Sequence, residues 1–114
     1  MKTGIELITE ERARQISKEG WVSGHDDQHK DRELARAAKS YLQHYIERIW
    51  LIEDENGEAL TAALAKYSSE KPDDMWPFYQ HEFKPKNAID DLKRVGALIA
   101  AEIDRLNRLN SKSE

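Results

Sequence analysis

The chain is 114 residues long, carries a formal net charge of −4, and is 39% hydrophobic and 35% charged with no cysteine. That size and balance describe one domain with a modest core, and they exclude disulfides, thiolate metal sites and cysteine nucleophiles. The acidic balance argues against general nucleic-acid binding, which depends on neutralised phosphates. The longest apolar run, Val95 to Ala101, is far short of the roughly 20 residues of a membrane span.

The opening stretch, MKTGIELITEERAR, turns acidic and amphipathic within six residues and does not read as a secretion signal, so a cytoplasmic location is expected. Ile5, Ile8, Ala13 and Ile16 share one face of a first helix predicted over 5–19, and Gly20 stands where a left-handed residue commonly ends a helix. Trp21 and Val22 are expected to fold back onto the core.

Next comes HDDQHKD, with two histidines and three aspartates in seven positions, His25 to Asp31. A second helix is predicted from Asp31 to about Trp50, capped by Asp31 or Asp27, because Leu34, Ala38, Tyr41, Leu42, Tyr45 and Ile49 trace an apolar stripe. Residues 47–65 are ambiguous. Asn56-Gly57 is a strong hairpin dipeptide, yet Leu60, Ala63, Leu64 and Tyr67 fit helical spacing, which favours a turn followed by a short helix over 58–67.

Three prolines, Pro72, Pro77 and Pro85, forbid a continuous helix before the last one. Trp76, Phe78, Tyr79 and Phe83 lie among them, which makes this an ordered aromatic loop rather than a linker. The last helix is predicted from an Asn87 N-cap to about Leu109, with Asp90 and Asp91 in the first turn where the macrodipole favours acid. Ile89, Leu92, Val95, Gly96, Ile99, Ile103 and Leu106 line one face. Gly96 in mid-helix costs about 1 kcal/mol relative to alanine, and close approach of another backbone is the expected compensation, within the chain or across a homo-oligomer seam. The expected fold is all-α, a small bundle of three long helices and one short one forming a single domain over 1–110, with a disordered tail over 111–114.

Two constellations carry possible chemistry. His25, Asp26, Asp27, His29 and Glu33 offer nitrogen and oxygen donors. His25, Asp27, His29 and Glu33 form a candidate set for a divalent cation such as Mg or Mn, against a plain reading as an Asp-rich helix start. Trp76 and Phe78, followed by Lys84-Pro85-Lys86, combine stacking rings with cations, and Lys86 precedes a helix N-terminus suited to anions. The plain reading there is a ring plug closing the bundle. No Gly-rich phosphate loop, GxSxG elbow, HExxH or zinc-finger spacing occurs.

ERARQISKEGW, HDDQH with ELARAA and Tyr41, WPF with FKPK, and DDLKRVGALIAAEIDRLNR together resemble a family of small tailed-phage and prophage proteins, over most of the chain outside 50–74. The resemblance implies a phage accessory protein in the host cytoplasm and leaves its activity open. A more distant resemblance is to the all-α MazG-like nucleoside triphosphate pyrophosphatases, which hold magnesium on ExxE and ExxD motifs. Here Asp27, Asp31 and Glu33 with Asp91, Glu102 and Asp104 are the analogous acids, and no ExxE…ExxD pair stands at the expected places.

Three functions are therefore weighed. The first is a non-catalytic phage accessory protein binding a nucleotide-like or other anionic ligand, used against a host defence. The second is a protein-interaction module, a helical homodimer that occludes a host enzyme. The third is a Mg- or Mn-dependent nucleotide pyrophosphohydrolase, with His25 or His29 assisting proton transfer.

Overall fold

The computed structural model describes residues 1–20, 26–51 and 61–112. Every regular element among them is helical: α1 (Gly4–Glu19), α2 (Glu33–Glu47), α3 (Thr61–Ser69), a 3-10 turn (Gln80–Glu82) and α4 (Ala88–Lys112). No described helix is long and apolar enough to cross a membrane. The expected turn at Asn56-Gly57 and the inward fold of Trp21 and Val22 lie outside the described residues.

Helix α1 starts at a capping box. The Glu6 N–H donates to Thr3 Oγ1 and the Thr3 N–H returns to Glu6 Oε1, both at 3.2 Å, so two orphan donors are satisfied reciprocally. It stops at Gly20, whose φ of 71° is the left-handed conformation read from the sequence. The buried face differs from the expected one. Ile5, Ala13 and Ile16 are exposed, while Glu11 and Gln15 are buried and Ile8 is half-buried. The contact row is thus 8, 11, 12, 15. What sets it is Gly96 on α4: a Cβ there would lie 2.4 Å from Ile8 Cδ1, so the missing side chain is the socket that receives Ile8. The close approach expected at Gly96 is made by a side chain, not by a backbone.

Helix α2 begins at Glu33, two residues later than expected, and ends at Glu47 rather than near Trp50. Neither Asp31 nor Asp27 caps it. The N-cap residue is Arg32 in a left-handed conformation, φ 63°, with no side-chain cap. Asp27 is drawn instead to the guanidinium of Arg108, at 2.9 Å, and the Asp31 N–H donates to the Glu33 carboxylate at 2.6 Å. Asp27 pairs with Arg108 at one end and Tyr41 lies under Arg94 at the other, so α2 and α4 run antiparallel.

Leu34, Ala37, Ala38 and Tyr41 of α2 meet Leu98 and Ala101 of α4 and Phe83 of the aromatic loop in the core. Small residues on both helices allow that close packing. It turns Ile89, Ile99, Ile103 and Leu106 outward, although they were expected to line the buried face, and turns Asp91, Glu102 and Arg105 inward. Glu102 tolerates burial because Arg105, one turn on, bonds its carboxylate. Asn87 caps α4 as expected, its Oδ1 accepting from the Asp90 N–H at 2.9 Å. The helix continues through Asn110 and Ser111 to Lys112, where a tail was expected.

Helix α3 is tied down by polar bonds. His44 Nε2 lies 2.8 Å from the Tyr67 carbonyl, Arg48 pairs with Glu70 at 2.6 Å, and the buried Tyr67 hydroxyl donates to Asp91.

Candidate functional site

The aromatic loop holds its shape through rings and main-chain bonds. Tyr41 stacks on Phe83 with centroids 4.8 Å apart, Trp76 meets Phe83 edge-on at 5.0 Å, and Phe78 meets Trp76 at 5.5 Å. The Lys84 N–H donates to the Tyr41 hydroxyl, and Trp76 Nε1 donates to the Tyr79 carbonyl. Phe83 is therefore a core plug. Trp76 and Phe78 are only half-buried, which leaves part of each ring for a second purpose.

That purpose is a wall. A cavity of about 570 Å³ lies between the loop and α1, α2 and α4, within the range of about 300–1,000 Å³ that small-molecule sites occupy. Trp76, Phe78 and Tyr41 supply rings, and His29 reaches it from the histidine-aspartate segment, its imidazole edge-on to Phe78 at 5.4 Å. The two sequence constellations thus meet at one place. The buried Gln15, Ala37 and Leu98 also line it, while the exposed Lys84, His81 and Glu82 stand where solvent enters.

Arg14, Lys84 and Arg94 share this lining with Glu19 and Glu82, and Glu11, bonded to Arg14, balances the third positive charge. Arg14 is held by Glu11 in a two-pronged pair, at 2.6 and 2.8 Å, and by Glu19 at 2.8 Å. Hydrogen bonding to Glu11 pushes its pKa further up, with Glu19 adding to the effect. Burial alone would raise the Glu11 carboxyl, but the bonds and charge of Arg14, with Arg94 and Lys93 nearby, hold it below its ordinary range. Arg94 lies 4.6 Å over the Tyr41 ring, a cation–π geometry, and gives one N–H to the Lys84 carbonyl at 2.7 Å. The rings, Arg14 and Arg94 are therefore held in place before any ligand arrives.

Of the residues read from the sequence, His29, Trp76, Phe78 and Lys84 converge on the cavity. Asp26 is fully buried and bonds Arg12 Nη2 at 3.0 Å, and Asp27 is committed to Arg108. Glu33 lies 3.3 Å from His29 Nδ1. Burial pushes its carboxyl up, but the backbone N–H groups of Glu33 and Asp31 and the imidazole outweigh that and keep it low. Lys86 lies outside the cavity, 3.8 Å from Asp90. His25 lies outside the described residues.

Among the described residues no three His, Asp or Glu side chains gather into a cation-sized cluster. Of the acids compared with the pyrophosphatase pattern, Asp91 bonds Tyr67, Glu102 bonds Arg105, and Asp104 is exposed, 3.9 Å from Arg12. Arg14, Gln15, Tyr41, His81 and Arg94 are site residues that sequence reading missed. Tyr41 carried a signal, but it was spent on the apolar stripe of α2.

No family model, curated protein or solved structure matches the chain. The functional reading therefore rests on the cavity and its lining.

Proposed function

We propose that the protein is a non-catalytic binder of a small anionic molecule with a planar ring, nucleotide-like in chemistry. What supports the reading is one juxtaposition: His29 from one segment and Trp76, Phe78 and Lys84 from another line the same cavity together with Arg14 and Arg94. Rings give a stacking surface that any base can use, and cations favour phosphate. The resemblance to tailed-phage proteins supplies the setting, in which sequestering a nucleotide-like signal in the host cytoplasm would blunt a defence.

Titration calorimetry of the intact chain against linear and cyclic nucleotides tests this. The expected outcome is saturable heat with at least one of them, weakened by replacing Lys84 or Phe78. Absence of heat across the panel overturns it.

A second reading, self-association or docking onto a host protein, draws on the outward apolar residues Ile5 and Ile16 of α1 and Ile99, Ile103 and Leu106 of α4. Sedimentation of the wild type beside Ile103→Lys tests it: a dimer that the substitution dissociates supports self-association, and a wild-type monomer removes it.

A further inference from the structure

Gln15 lines the cavity on α1, has no solvent exposure, and neither Oε1 nor Nε2 has a hydrogen-bond partner among the described residues. A buried primary amide left in that state is costly, and native interiors rarely keep one without a protein, water or ligand partner. Apolar residues of similar length would fill the position without that cost, so the amide marks a place where a partner is expected.

We infer that Gln15 is the specificity residue of the cavity and hydrogen-bonds the edge of a nucleobase that presents a donor beside an acceptor. This rests on the proposed binding of a nucleotide-like anion and adds what that reading leaves open, the part of the ligand that is recognised. A glutamine amide offers an acceptor oxygen and N–H donors side by side. Its complement is a planar edge with an N–H next to a carbonyl or ring nitrogen, as nucleobases carry and simple aryl groups do not. Trp76 and Phe78 supply faces for the same ring, and Arg14, the residue before Gln15, stands in the same lining. Solvent does not reach the amide, so contact requires a lining side chain to move aside.

The test compares the four common nucleoside 5′-monophosphates with 1-naphthyl phosphate, which keeps ring and anion but lacks the edge. The wild type and Gln15→Met are titrated, with melting curves to check folding. The inference expects at least one nucleotide to bind the wild type about tenfold or more tighter than naphthyl phosphate. In Gln15→Met that preference collapses while naphthyl phosphate binding persists. Equal wild-type affinities for nucleotides and naphthyl phosphate overturn the role of Gln15 whatever the variant does, and leave the cavity reading standing, with a water as the amide's partner. A preference that survives Gln15→Met overturns it as well. If no phosphate compound binds the wild type, the cavity reading itself fails.

Discussion

Tyr67 on α3 donates its hydroxyl to Asp91 Oδ2 on α4 at 2.7 Å, and both side chains are shut off from solvent. Burial pushes the pKa of each group up, and their mutual bond adds to the rise for Tyr67. The Lys86 N–H gives Asp91 a second donor at 3.0 Å. Tyr67→Phe removes the first donor and keeps the ring. A hydrogen bond to a charged acceptor contributes about 1.5–3 kcal/mol, so we expect a loss of about 2 kcal/mol in urea unfolding. An unchanged midpoint would show that the pair does not hold α3.

Acidification should destabilise the protein through His44. Its buried imidazole sits 2.8 Å from the Tyr67 carbonyl, and burial holds its pKa below the ordinary 6.5. The unfolded chain takes up that proton first, so the stability is complete above the ordinary value and is lost as pH falls from there towards the lowered folded value. Asp91 tilts the other way and lower on the scale. Its folded pKa lies above the ordinary 3.8, so its contribution is present below that value and is lost as pH rises through the window above it. Scanning calorimetry at about pH 7.5 and about pH 5.5 should show a lower Tm at the acid value, with a smaller drop in His44→Gln. Equal drops would remove His44 as the source.

At Gly96 the clash and the helix propensity oppose each other. Alanine gains up to about 1 kcal/mol of helix propensity, but its Cβ would meet Ile8 Cγ1 at 2.7 Å as well as Cδ1. Overpacking of this kind costs about 1–3 kcal/mol, so Gly96→Ala should be net destabilising by about 1 kcal/mol. In an Ile8→Ala background the same change should stabilise. A double-mutant cycle in urea measures the coupling, and additive effects would show that Ile8 does not seat against Gly96.

For binding, Phe78→Ala is the most telling change outside Gln15. Stacking a base on an aromatic side chain contributes about 1–3 kcal/mol, so nucleotide affinity should fall roughly 5- to 150-fold. Phe78 is half-buried and lies outside the fully buried core cluster it packs against, so a melting curve should still show a folded chain. Unchanged affinity in a folded variant would place the ligand away from the ring wall.

The helices themselves were legible in the residues. Gly20 ends α1, Asn87 caps α4, the prolines break the chain between Pro72 and Pro85, and periodicity put helices near their true positions, because these signals act within one or two turns of backbone. The faces were not legible. Hydropathy assigned Ile5, Ile16, Ile99 and Ile103 to the interior, but Gly96 receives Ile8, and the small residues of α2 and α4 settle against one another, rotating those isoleucines outward.

The site divides the same way. Its residue types were visible as two clusters, His25 to Glu33 and Trp76 to Lys86, since imidazole, carboxylate, ring and ammonium groups announce their chemistry wherever they stand. Only the tertiary structure decided which of them meet. It sent Asp26 to Arg12 and Asp27 to Arg108, and brought His29 to Phe78. It also added Arg14, Gln15 and Arg94, whose place in the cavity depends on how α1 and α4 are turned about their own axes. Local backbone chemistry sets where a helix starts and stops, but its rotation is chosen by the whole core at once, and no stretch of a single helix encodes it.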